Sequence, residues 1–137
     1  MLTARRVRSA QKAAETKRES LLRQVARMQV GVQAQPIARV RRLAIDAYND
    51  RLIDTERFEA EPASETSDPA FLERITVNFI PHELTAYDQE LEAVAGRVGV
   101  QDAVQAIRRK VFAAIAAAYP ALAHECDQQR AAGDHGL

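Results

Sequence analysis

Val7, Ala14, Leu21 and Met28 recur every seven residues in an opening stretch free of Gly and Pro, with Ala4, Val25 and Val32 in the alternate position. This is a heptad-like stripe. Gln11 and Arg18 also fall in the seam, so it is clean only in its second half. The spacing predicts a helix from Thr3, its cap, to about Val30, roughly 40 Å long at about 1.5 Å per residue. So long a helix with so narrow a seam cannot bury itself. It needs a neighbouring helix, from its own chain or from a second copy. Leu21, Val25, Met28 and Val32 are therefore expected to form an oligomer seam, or a contact with a partner helix.

The rest of the composition agrees with helices. The chain has 137 residues, the size of one domain, and 47 % of them are hydrophobic. Much of that share is Ala, which suits close helix contacts, and aromatics are only 5 %. The single Cys126 excludes an internal disulfide framework, and a reducing cytoplasm is the simplest expectation. No apolar run approaches membrane-spanning length; Val111 to Tyr119 is the longest and is half Ala. Arg5, Arg6, Arg8 and Lys12 precede any acid, as in an organellar transit peptide, but Glu15 and Glu19 follow at once. No targeting segment is expected.

Breakers divide the chain into segments. Residues 1–53 read as the long basic helix plus a second helix. Gly31 and Pro36 separate the two, and Ile37, Val40, Leu43, Ala44, Ala47 and Tyr48 give the second an apolar face. Residues 54–68 read as an acidic, Pro- and Ser-containing linker, mobile or disordered, with Phe58 as its sole possible anchor. Residues 69–131 read as a C-terminal helical unit, and 132–137 as a fraying tail. Asp68-Pro69 is a cap followed by Pro at the first helical position. A strand from Ile75 to Ile80 is the alternative to a helix there, disfavoured because no second strand is available to pair. Pro81 is expected to end that helix and Thr85 to cap the next, which Gly96 and Gly99 close. Val104, Ile107, Val111, Ile115 and Ala118 then mark the strongest helix. The expectation is an all-α bundle of five to six helices with a long basic N-terminal helix, forming one compact domain.

Charge is unevenly placed. Lys+Arg and Asp+Glu are equal at 19 each. Yet residues 1–30 hold eight Lys/Arg against two Glu, and residues 61–100 hold two Arg against eight acids. Three readings compete: the basic arm binds nucleic acid, it docks on the acidic segment of its own chain or a partner, or both are solvated faces. Arg5, Arg8 and Lys12 share one side of the first helix. Arg23 and Arg27 share another turn, and Arg39, Arg41 and Arg42 follow the bend. Such residues can meet phosphates along a nucleic-acid strand. The arm lacks interleaved aromatics, so recognition would be of backbone and shape.

The densest polar chemistry lies in His82-Glu83-Leu84-Thr85-Ala86-Tyr87-Asp88. His82, Thr85, Tyr87 and Asp88 can form a relay, Asp orienting His and His polarising a hydroxyl. They can equally be a helix junction, with Thr85 as cap, Asp88 at the positive helix end and Tyr87 packed with a bonded hydroxyl. The structural reading is preferred, since no phosphate loop, second His or activated Cys accompanies the cluster. The run from Ile80 to Leu91 resembles the signature of the domain-of-unknown-function 2293 family. In that family an apolar helix is followed by His, two residues, Thr-x-Tyr-Asp and a Leu-containing helix. Ala103, Ile107, Val111 and Ile115 would supply its third helix, so the likeness spans roughly Ile75 to Tyr119. Pro81 stands where the family has Arg, and the acidic linker replaces its Gly-rich basic segment. The resemblance implies a small helical domain and no particular activity.

His124 and Cys126 are two apart, on different sides of a helix, and His135 lies in the tail, so no metal site and no cofactor are expected. The expected function is a non-catalytic helical accessory or adaptor subunit, associating with nucleic acid or a nucleoprotein complex through the basic arm. The alternatives are a small enzyme centred on His82, Tyr87 and Asp88, or a structural homo-oligomer pairing basic and acidic segments.

Overall fold

The structure, a computed structural model, describes residues 2–132, and side chains from residue 5 onward. It is all-α, without strands among the described residues. The helices are α1 (Leu2–Arg27), α2 (Ile37–Asp54), α3 (Pro69–Leu84), α4 (Tyr87–Val94), α5 (Val100–Ala118) and α6 (Ala123–Ala131), with a 3₁₀ turn at Pro120–Leu122 before α6. None is long and apolar enough to cross a membrane. Thr3, expected as a cap, lies inside α1, and most of the expected tail, including His135, lies outside the described residues.

The apolar register of α5 makes it the centre of the bundle. Ala103, Ile107, Val111, Phe112 and Ile115 are buried together with Leu21 and Val25 of α1, Val77, Ile80 and Leu84 of α3, Tyr87 and Val94 of α4, and Leu122 and Cys126. Leu21 and Val25 are thus buried within the chain itself, and Met28 and Val32 pack on the same cluster. Of the two partners expected for the seam, a helix of its own chain or of a second copy, the chain's own helices cover it. A heptad stripe shows which face must leave water, and the turn from Val30 to Pro36 and the reach of α5 decide what covers it. The docked end is then tied by hydrogen bonds. Lys110 Nζ donates to the carbonyls of Ala26 at 2.8 Å and Met28 at 2.6 Å, satisfying groups the helix terminus leaves open. Arg97 donates to Gln24 Oε1 at 2.6 Å. The Tyr119 hydroxyl, at 2.7 Å, donates to the Gln35 carbonyl in the loop beyond.

A smaller cluster joins α2 to α3: Ala44, Ile45, Ala63 and Ile75, flanked by Tyr48, Phe71, Leu72 and Phe79. Ala63 belongs to the segment expected to be mobile. Asn49 holds it in a two-way amide pair, Nδ2 donating to the Ala63 carbonyl at 2.9 Å and Oδ1 accepting its N–H at 2.8 Å. Phe58, expected as the anchor, is instead 76 % exposed. The Asn49 amide pins the middle of this acidic stretch, and Ser64, Thr66 and Ser67 bond to one another beyond it.

One further expectation is corrected in α3. Its start is as expected, Asp68 accepting the Phe71 N–H at 3.3 Å, with Pro69 at the first position. Pro81, however, sits inside the helix, which runs on to Leu84. Proline forfeits one bond to the preceding turn. Here it lies near the C-terminus, is itself buried beside Ile80, and its carbonyl is bonded by the Thr85 hydroxyl.

Candidate nucleic-acid interface and the helix junction

From Arg5 to Ser20, every residue of α1 is exposed. At about 1.5 Å per residue this is roughly 24 Å of exposed helix, which meets the bundle near Arg18, beside Gly99 and Asp102. It carries Arg5, Arg6, Arg8, Lys12, Lys17 and Arg18 against Glu15 and Glu19. Within α1, Arg18 alone has a described carboxylate in ion-pair reach, Asp102 at 3.6 Å. At about 100° per residue, Arg5, Arg8, Lys12, Arg23 and Arg27 fall on the side of α1 opposite Leu21 and Val25. The face that docks and the face that carries these cations are back to back. The five sequence-predicted cations of α1 therefore form one outward row about 33 Å long, all exposed.

The three that follow the bend differ. Arg39 is exposed. Arg41 and Arg42 line a groove whose walls also carry Glu65 and Glu73. The structure does not add them to the row on α1.

At the junction, the relay is only half assembled. His82 Nδ1 and Asp88 Oδ1 are 2.7 Å apart, across the turn between α3 and α4. No hydrogen bond joins His82 to a hydroxyl. It meets Tyr87 edge to face, ring centres 5.7 Å apart. The Thr85 hydroxyl is used twice on backbone, donating to the Pro81 carbonyl and accepting the Tyr87 N–H at 3.1 Å. Thr85 is the C-cap residue of α3 rather than the expected N-cap of α4: the N-cap is Ala86, without a side-chain bond, and Thr85 reaches only the first N–H of α4. Burial pushes the Tyr87 phenol above its ordinary value of 10.0, Arg108 opposing the rise and Asp88 adding to it, so it stays protonated at neutral pH. The nearest hollow is lined by Glu83, Leu84, Thr85 and Ala86, without His82, Tyr87 or Asp88. These bonds fasten two helix ends together.

Sequence reasoning passed over Arg108. It is 5 % exposed, its guanidinium sits 5.2 Å from the centre of the Phe112 ring, and it donates to the Gln129 carbonyl at 3.3 Å. Gln129 in turn donates to Glu125 Oε1 at 3.0 Å, so a buried polar cluster ties α5 to α6. The signal was an Arg four residues before Phe112, adjacent to the apolar register of α5. Beside this cluster, burial, followed by Asp127 and Glu125, pushes the Cys126 thiol up to about 11. It is a packed thiol rather than a nucleophile. Among the described residues no three metal-ligating side chains come together.

Comparisons with protein-family models, curated proteins and solved structures find no match.

Proposed function

We propose that the chain is a non-catalytic helical accessory subunit that binds the sugar-phosphate backbone of nucleic acid through the projecting half of α1. The observation that carries this reading is the outward row Arg5, Arg8, Lys12, Arg23 and Arg27 on a helix whose opposite face docks at Leu21 and Val25. A helix buried at one end and exposed along the other presents its charge without distorting the bundle. The row has no aromatic residue, which favours phosphate contacts over base stacking. Its likeness to the domain-of-unknown-function 2293 family lies elsewhere in the chain and adds no activity to this reading.

Fluorescence anisotropy with a labelled duplex, measured across a salt series, tests the proposal. Five phosphate contacts give a slope of about −4.5 in log K against log salt. Arg5→Glu, Arg8→Glu and Lys12→Glu together should remove at least three contacts, flatten the slope by about three, and leave the melting curve unchanged. Equal binding by that triple variant would sink the reading.

A further inference from the structure

Two features at the end of α2 fit each other. A groove of about 480 Å³ lies between α2 and α3. Its lining includes Tyr48, Phe71 and Phe79 together with Arg51, Arg57 and Arg74, and no carboxylate. Ala44 and Ala47 on α2 leave it open, being too small to fill it. The Arg74 guanidinium already lies 5.4 Å from the Phe71 ring centre, so the groove holds cations over aromatic faces.

Immediately beside it stand the two most exposed large apolar side chains among the described residues, Phe58 at 76 % and Ile53 at 63 %. Phe58 is displayed rather than mobile: the preceding N–H, of Arg57, bonds to the Leu52 carbonyl at 2.8 Å, and the Glu56 N–H to Ile53 at 3.0 Å. Glu56, at a left-handed φ of 55°, makes the bend. Glu56, Glu59 and Glu61 surround Phe58 in the chain. Within the chain, Glu59 reaches Arg57 at only 3.9 Å with both side chains well exposed, a weak and screened contact. Phe58 does not line its own groove.

A surface bearing an acidic aromatic knob next to a cationic aromatic groove is complementary to itself, which is the condition for a two-fold interface. We propose that two copies of the chain associate at this corner, each seating Phe58 in the α2–α3 groove of the other. The Glu56–Glu61 turn of each then faces Arg51 and Arg74 of its mate. This contact is separate from the α1 seam, which α5 occupies, and does not depend on nucleic-acid binding. Aromatic and Arg anchors are the side chains that dominate such contacts. A patch this small gives a weak, concentration-dependent dimer.

Sedimentation equilibrium of nuclease-treated protein, from micromolar to millimolar concentration, reads the association directly. The wild-type mass should climb from 15.2 kDa toward twice that value. Phe58→Ala should weaken the dimer about 30-fold, as expected for a hot-spot aromatic. Phe58→Asp should stay monomeric with an unchanged melting curve, because Phe58 is exposed in the single chain. Arg74→Glu, a test of the groove itself, should weaken it about tenfold. Wild-type protein that remains a monomer throughout overturns the proposal, even if it captures an acidic Phe-containing peptide, which would give the groove to a different protein. A Phe58→Asp chain that dimerises like wild type overturns it equally.

Discussion

The two halves of α1 share one conformation and are held in it by different forces. From Leu21 onward the helix is kept by burial: Leu21 is 0 % and Val25 1 % exposed, and Lys110 closes its last carbonyls. From Arg5 to Ser20 every residue is exposed, with Arg18 beside Gly99 and Asp102 as a link to the bundle, and there Ala10, Gln11, Lys12, Ala13 and Ala14 supply good helix formers. Glu19 before Arg23 is the favourable acid-first order at four-residue spacing. Starting a helix is costly and extending one is not. The docked end therefore acts as a nucleus from which the outer half propagates. Stability resides in one half and the candidate binding surface largely in the other, so the two should respond separately to substitution.

The largest effect that could break this comparison comes from a matched pair. Leu21→Asp buries a charge at the docked end and should cost more than about 3 kcal/mol, enough to unfold much of the population. Val7→Asp, on the same helical face but 50 % exposed, should shift stability by less than about 0.5 kcal/mol. Thermal melts followed by circular dichroism compare the two. Similar melting temperatures would mean that both halves are supported alike.

An intermediate effect is expected at the border between the halves. Gly99 has φ +83°, and a Cβ there would lie 2.5 Å from Arg18 Cγ. Gly99→Ala should cost about 1–2 kcal/mol for the left-handed backbone alone, and should also lift Arg18 from Asp102. Hydrogen exchange should then quicken in α1 before Leu21 and little beyond it. Unchanged exchange in that half would show that the Gly99 contact does not position it.

The smallest effect sharpens the account of the docked end. Burial pushes the Glu90 carboxyl above its ordinary 4.5, with Lys110 opposing. The folded chain therefore holds this proton more tightly than the unfolded chain. Below pH 4.5 the group has no effect on the balance. As pH rises from there through the folded value, its ionisation removes stability. Glu90→Gln should raise the melting temperature slightly at pH 7 and not at pH 4. An equal shift at both pH values would mean that packing, rather than charge, is responsible.

Local signals were readable where the chemistry is local. Asp68-Pro69 opens α3, the Thr85 hydroxyl reaches the first N–H of α4, and the register expected for α5 finds Ile107, Val111 and Ile115 buried, though Val104 is half-buried, Ala118 is exposed, and Ala103 and Phe112 complete the face. His82 and Asp88 were grouped correctly because only one turn separates them. Signals failed where a distant partner was needed. The acidic linker gave no hint that Asn49 would pin Ala63, and the outlook for Phe58 was inverted for the same reason. Pro81 was taken for a stop because its cost to a helix is local, while the burial that accompanies it is not.

By itself the sequence determined that this chain is helical, where most of its helices begin, and that its first helix carries a basic excess. Those properties follow from propensity, caps and periodicity, which act within a few residues. Only the tertiary structure decided that α5 covers the Leu21–Val32 seam, that Arg108 is buried beside Phe112, and that Arg5, Arg8, Lys12, Arg23 and Arg27 look outward together. An apolar stripe states the need for burial but carries no address, and which helix answers that need depends on how far apart segments pack.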